Sequence, residues 1–347
     1  MTDDSFFRGE DDDAPKEQRR KKRMRDRWVL LSVIGVLVVA LVAVGAVLGY
    51  YGKATKDALD SVTREPTLMP TNTENRPSPV PTKTGESKPP LNFVLMGTDS
   101  RNPDERGRSD VLMVMHIPGD RQDAYLISFP RDYWVDVPGY GNAKINAAYS
   151  YGGPALTVET LEQMLDIPID HTAIINFEGF MNVIDALGGV TVTNRQASSS
   201  GGFSFPKGTV ELNGESALQF VRERKNLSDG DFGRAERQRD VLKAIVTKLT
   251  SRGVLTNPGQ FRDAVTTLAP NFTVDSGLDN GRIIDIGLGM RITGGADIKS
   301  LLAPIDGFGT SSDGQSIVLV NGKKLDEMAA ALRGDTMDAY FEANKDE

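Results

Sequence analysis

The chain has 347 residues, 39% of them apolar and 25% charged, with no cysteine, two histidines and a formal net charge of −8. That balance excludes wholesale disorder, disulfides, thiolate metal sites, cysteine nucleophiles and a polyhistidine metal centre, and it argues against coating of nucleic acid. Length alone allows one large domain or two small ones.

Residues 1–27 form a polar tail split in sign, with Asp11, Asp12 and Asp13 ahead of a basic run from Arg19 to Arg27. Residues 28–52 carry no charge and outlast the ~20 residues a helix needs to cross a bilayer. Trp28 bounds one end and Tyr50 and Tyr51 the other, where amphipathic rings favour the membrane interface. A cleaved signal peptide would have an apolar region of only ~7–15 residues and a small-residue cleavage site, whereas this run ends in Gly49-Tyr50-Tyr51. An uncleaved single-pass transmembrane helix is therefore expected. The basic run places residues 1–27 in the cytoplasm and everything after Lys53 outside, with the lipid bilayer as a partner.

Residues 53–90 include seven prolines from Pro66 to Pro90 among Thr, Ser, Asn and Lys, a composition expected to form an extended, solvated stalk. Residues 91–340 are expected to be globular, with 341–347 a short tail. Leu91–Met96, Val111–Ile117 and Ala124–Phe129 are short apolar runs between turn residues and predict buried strands. Leu156, Val158, Leu161, Met164 and Leu165 recur at helical spacing after Pro154, and His171–Phe177 predicts a strand. Phe180–Leu187 predicts a helix stopped by Gly188-Gly189. Asn213 predicts an N-cap for a helix through Ala217 and Phe220. Val241, Leu242, Ile245, Val246 and Leu249 form one stripe of a helix over Phe232–Thr250. Further helices fit Phe261–Leu268, Leu278–Met290 and Lys324–Leu332, and a late strand fits Ile317–Val320. Alternation without a repeat makes an α/β layered domain the default. The apolar helices at 232–250 and 278–290 read as ordinary core stripes that could also line a lipid tunnel.

Two clusters carry chemistry. Asp99 directly follows the first strand and Asp110 opens the next, so a hairpin-like return brings both carboxylates to one sheet edge, with Arg108 alongside. Paired hard oxygen ligands suit Mg²⁺, which keeps waters and takes phosphates. An Asx-turn role for Asp99 and an ion pair between Asp110 and Arg108 would explain the same residues. The second cluster is Arg222, Arg224, Asp231, Arg234 and Gln238. Arg234 and Gln238 share a helix face, while Arg222 and Arg224 point together only if the helix breaks near Val221. Planar guanidinium forks match phosphate oxygens. Arg239, beside Asp240, reads as part of a solvated face. Between the clusters, Arg131 and Lys144 add cations and Asp132 a carboxylate. The turn from Pro138 to Asn142 is Gly-rich but lacks a Walker ending. His116 and His171 read as structural.

These residues carry a resemblance. Gly97-Thr98-Asp99-Ser100-Arg101, Arg108-Ser109-Asp110, Ser128-Phe129-Pro130-Arg131-Asp132, Lys144 to Tyr149, Phe177-Glu178-Gly179-Phe180 and Asp231 to Gln238 occur in that order. Over roughly Leu91–Thr250 the chain resembles the LytR-CpsA-Psr family of bacterial envelope proteins. The resemblance implies a mixed central sheet between helical layers, a three-layer αβα fold, with an apolar tunnel for a polyprenyl chain. It also implies a phosphotransferase that moves a glycopolymer from a polyprenyl-pyrophosphate carrier to peptidoglycan, forming a phosphodiester and releasing polyprenyl phosphate. By the same resemblance Asp99 and Asp110 bind Mg²⁺, with Arg108 near the metal. Arg131, Lys144, Arg222, Arg224, Arg234 and Gln238 grip the pyrophosphate. Asp132 and Asp231 are the candidates for the general base. A Mg²⁺-dependent lipid pyrophosphatase would use the same residues with water as acceptor. A non-catalytic polyprenyl-phosphate carrier would not need paired acids, and a transcriptional regulator is opposed by the topology, so no nucleic-acid partner is expected.

Overall fold

The apolar runs after residue 90 fold as expected, into strands of one sheet. A computed structural model describes residues 52, 56–57, 59–72, 76–82, 88–98, 109–224, 226–228, 231–249, 266–267, 269–292 and 294–345. The predicted tail and membrane-spanning segment therefore lie outside the described residues except for Gly52, and the predicted helix at 261–268 except for residues 266–267. Among the described residues no helix is long and apolar enough to cross a membrane.

In chain order the strands before the first helix are β1 (Thr63–Glu65), β2 (Leu91–Thr98), β3 (Ser109–Ile117), β4 (Ala124–Ser128), β5 (Trp134–Val137) and β6 (Gly141–Lys144). Helix α1 (Ile145–Leu165), β7 (His171–Asn176) and α2 (Phe177–Ala186) follow, then β8 (Val190–Asn194), β9 (Ser198–Ser200), β10 (Phe203–Phe205) and β11 (Gly208–Leu212). Next come α3 (Gly214–Arg222), α4 (Asp231–Leu249), β12 (Phe272–Asp275), α5 (Asn280–Gly289), β13 (Ile298–Leu302), β14 (Ile305–Thr310) and β15 (Ser316–Val320). The order ends with α6 (Gly322–Arg333) and α7 (Met337–Asn344).

The central sheet has the order β1-β12-β7-β2-β3-β4-β13 and is mixed: β2 runs parallel to β7 and antiparallel to β3. Helices cover both faces, which is why β2 reads as a near-continuous apolar run rather than an alternating one. Val94 and Met96 pack with Ile145, Leu161 and Leu165 of α1 and Met328 and Leu332 of α6. Phe93 and Leu95 lie in the cluster that includes Leu278, Ile283 and Ile286. A third cluster joins α2, α3 and α4 through Val183, Phe220, Val241 and Ile245. The stripe expected to be core at 278–290 is so only in part: Leu278 is buried and Ile283, Ile286 and Met290 pack partly against this cluster, but Ile284 and Leu288 are exposed.

Local signals placed several ends. Asn213 caps α3 in a reciprocal box with Ser216. Helix α1 begins nine residues before the predicted Pro154, because Gly153 takes a left-handed φ of 71° and lets two helical segments join across a kink. Two expectations are corrected. The described residues of 53–90 do not form a solvated stalk: β1 pairs in parallel with β12, and Leu59, Leu68 and Val80 are buried. Arg76 forms an ion pair with the buried Glu162 at 2.6 Å. Proline-rich composition forbids a core of its own but not docking on another. Within the predicted tail of 341–347, residues 341–344 are likewise not free, since α7 runs to Asn344 and Phe341 packs on the core.

Both histidines are structural, as expected. His116 bridges Asn92 and Asp335, and His171 Nδ1 lies 3.2 Å from Asp275. Burial alone would push the Asp275 carboxyl up. Hydrogen bonds from His171 and from the Thr172 and Gly277 N–H groups outweigh it and hold the group below the usual aspartate range. A depressed folded pKa gives stability that is complete above the unfolded value of about 3.9 and lost as pH falls through the folded one. Asp275→Asn is therefore expected to lower stability at neutral pH and to flatten the acid limb below about pH 4. Urea midpoints measured across pH check this.

Candidate active site

The site is assembled where the end of β2 meets the end of α3. Thr98 pairs with Ser109, with a register irregularity after Gly97. A Cβ on Gly97 would stand 2.9 Å from Val111 Cβ, so only glycine lets the two strands pass this closely. Val111 in turn lines the cleft above. Asp99 and Arg108 lie outside the described residues, and Asp110 and Asp231 are placed by backbone alone, as the second residue of β3 and the first of α4. Among the described residues no group of three or more His, Asp or Glu side chains could hold a metal.

Helix α3 ends at Arg222, and Glu223 is extended, with φ −62° and ψ 132°. The break falls between the two arginines, slightly later than expected, and brings both to one cleft. That cleft, of about 630 Å³, is lined by Arg131, Arg222, Arg224, Arg234 and Gln238. Arg222 lies over the ring of Phe177, 4.7 Å from its centroid, a contact that fixes the plane of the guanidinium. Four guanidiniums face one carboxylate among the described lining residues, Glu223, so the cleft has a surplus of positive charge suited to phosphate oxygens.

Glu223 is buried, and its carboxyl is held low. Burial pushes it up, but hydrogen bonds from the Asn226 N–H at 3.0 Å and from Ser200 pull it further down. Asn226 also donates to Ser199 O at 2.9 Å, so this turn ties the β9–β10 hairpin to the wall of the cleft. Arg237, one residue before Gln238, is buried under Phe220 and donates to Asn194, Gln196 O and Ser198 Oγ. These roles of Phe177, Ser199, Ser200 and Glu223 were missed in the sequence, because they depend on elements brought together from three parts of the chain.

Lys144 is not on this cleft. It forms an ion pair with Asp132 at 2.9 Å and lines a neighbouring cleft, of about 350 Å³, with Arg131 as the one described residue common to both. Arg239 faces elsewhere, in a cleft with Arg195, Glu236 and Asp240, but the expected solvated face is corrected: burial holds its guanidinium below the ordinary arginine range.

On another wall the cationic cleft adjoins an apolar cavity of about 160 Å³ between the sheet and helices α2 to α4. Leu95, Met113, Ile175, Phe180, Leu242 and Ile245 line it, and Val111, Phe177, Val221 and Gln238 border both spaces. The apolar stripe of α4 thus does more than fill a core. A cationic cleft beside an apolar cavity is chemically matched to an amphiphile with an anionic head.

Comparison with known proteins agrees with this geometry. A Bacillus subtilis (strain 168) protein named polyisoprenyl-teichoic acid–peptidoglycan teichoic acid transferase TagU is 33% identical over 267 residues, covering 75% of this chain and 82% of its own. The Bacillus licheniformis protein of the same name is 30% identical over 320 residues, covering 92% and 98%. The crystal structure of B. subtilis TagV superposes with a TM-score of 0.62 at 29% identity, covering 72% of this chain and 98% of that one. The structure described as TagT bound to LI-WTA gives 0.58 at 30% identity, covering 76% and 98%. The LytR_cpsA_psr family pattern matches residues 53–334. With most of the chain matched, including the segment that packs ahead of β2, this protein belongs to the LytR_cpsA_psr family.

Proposed function

We propose that the chain is a phosphotransferase that moves a glycopolymer from a polyprenyl-pyrophosphate carrier to peptidoglycan. The observation that carries this reading is the shared wall between the four-arginine cleft and the apolar cavity. A pyrophosphate joined to a polyprenyl chain has the matching anionic head and apolar tail, and the names of the TagU relatives supply the glycopolymer and acceptor classes.

In the step, an acceptor hydroxyl oxygen bonds to the phosphorus that carries the glycopolymer. The bond from that phosphorus to the bridging oxygen breaks, and polyprenyl phosphate leaves. The hydroxyl proton passes to a carboxylate, for which Asp132 and Asp231 are the candidates. Arg131, Arg222, Arg224 and Arg234 neutralise charge on the phosphoryl and leaving oxygens, which is most of what phosphoryl transfer asks of a protein. Gln238 adds amide donors, and Lys144 holds Asp132.

A magnesium ion fits the donor set at the end of the β2–β3 hairpin. Because Thr98 pairs with Ser109, Asp99 and Asp110 adjoin a single pairing position at one end of the sheet. These two carboxylates, with Arg108 beside them in the chain, would hold the ion and leave positions for water and phosphate. When bound it would neutralise pyrophosphate charge. Residues 28–52 anchor the chain in the membrane, with 1–27 cytoplasmic and the catalytic domain outside, where lipid-linked donor and wall are both within reach.

The test uses the full chain in detergent with Mg²⁺, a synthetic polyprenyl-pyrophosphate glycan and un-crosslinked peptidoglycan oligomers, read by mass spectrometry. A phosphodiester-linked product with released polyprenyl phosphate is expected. Free phosphorylated glycan as the sole product would replace the reading by a hydrolase, and bound lipid without turnover would replace it by a carrier.

A further inference from the structure

Two tyrosines stand exposed beside the site. Tyr140 is 57% and Tyr151 42% accessible, yet their rings stack on each other at 4.6 Å between centroids and 19° between planes. Each is set by a left-handed glycine. Tyr140 sits in the β5–β6 turn between Gly139 (φ 79°) and Gly141 (φ 73°), and Tyr151 ends the first segment of α1 two residues before Gly153. This is the Gly-rich turn whose purpose a phosphate loop did not explain. An exposed aromatic pair of this kind leaves ring face in water, which a purely structural contact would bury.

Tyr151 forms one wall of the cleft that also holds Arg131, Asp132, Lys144, Asn146 and Gln315. Its volume of about 350 Å³ is that of a small-molecule site. The wall combines an aromatic face with amide, carboxylate and ammonium groups. A pyranose has the matching character: its C–H face carries partial positive charge that meets the negative face of a ring, and its rim of hydroxyls donates and accepts hydrogen bonds. A lipid would need apolar walls, which this cleft lacks.

Position selects which sugar. Attacking and leaving oxygens lie roughly in line across a transferring phosphoryl group. Given the proposed function, on which this inference rests, the leaving lipid phosphate departs on the side of the apolar cavity. The tyrosine cleft shares no described residue with that cavity, and it meets the cationic cleft only at Arg131. We propose that Tyr140, Tyr151 and the cleft beside them bind a pyranose of the acceptor glycan and hold its hydroxyl toward the phosphorus gripped by Arg131.

The experiment uses the full chain with Tyr151→Ala, Tyr140→Ala and Tyr151→Phe, varying donor and un-crosslinked peptidoglycan oligomer separately. Each alanine variant is expected to raise the acceptor KM about tenfold with the donor KM unchanged, since one aromatic contact contributes on that scale. Tyr151→Phe keeps the ring and is expected to behave as the parent. A rise in donor KM instead would place the donor sugar there and overturn the proposal, as would no change in either constant. Saturation-transfer NMR of the oligomers without donor separates this from the transferase reading. Transfer to sugar C–H protons that Tyr151→Ala abolishes upholds the inference even if no product forms. Transfer confined to stem-peptide protons, or unaltered by the substitution, overturns it even if product does form.

Discussion

Arg222→Ala is expected to lower kcat/KM for transfer by about 10²–10³, the usual loss when one preorganised donor to a developing oxyanion is removed. The side chain is the last residue of α3, its plane is set over Phe177, and it borders the cleft where Arg224 and Arg234 also converge. Arg222→Lys keeps the charge but loses the planar fork and the ring contact, so it is expected to recover only a small part. Phe177→Leu, which leaves the guanidinium in place but unsupported, is expected to cost about 1 kcal/mol, or several-fold in rate. Donor binding and single-turnover rates, measured for the three variants, check the ordering. A lysine variant as active as the parent would show that fork geometry contributes nothing.

Arg76→Ala is expected to be the most destabilising change ahead of β2. Glu162 is 1% exposed, accepts from Arg76 Nε and Nη2 and from the Ile169 N–H, and would be left as a buried charge. Breaking a buried pair in this way costs about 3–5 kcal/mol, and the 26% exposure of the Arg76 side chain reduces that to about 2–4 through water access. A fall in Tm of about 5–10 °C follows. Adding Glu162→Gln is expected to restore much of it, because the amide oxygen still accepts from Ile169 while the charge is gone. Calorimetry on the single and double variants decides the matter. A chain begun at Leu91 would lose this pair, the β1 pairing and three buried apolar side chains together, so activity assays belong to the longer protein.

How much was legible before the fold was known follows from how far each signal reaches along the chain. The strands at β2, β3, β4 and β7, the capped α3 and the stripe of α4 are local patterns of a few residues, and each lies within a residue or two of its expected place. The hairpin β8–β11 was missed although Val190, Val192, Val210 and Leu212 alternate with polar neighbours, a readable signal in a short, threonine-rich stretch. Its neighbour β9–β10 pairs three serines with Phe203–Phe205 and carries no such pattern.

Sequence by itself determined most of the cleft lining: Arg222 and Arg224, two apart at a helix end, and Arg234 and Gln238, four apart on the next helix, come to one cleft for reasons of backbone geometry. It could not show that Lys144 is turned to Asp132 and a separate cleft, because an ion pair between residues twelve apart depends on how the β5–β6 hairpin folds back. Tertiary structure alone decided that the described residues of 59–82 belong to the domain. The pairing of Thr63 with Thr273 joins segments 210 residues apart, and parallel pairing through such crossovers leaves no local periodicity to read. It also decided the apolar cavity and the Tyr140–Tyr151 stack, since both exist only in the space between elements that composition and spacing describe one at a time.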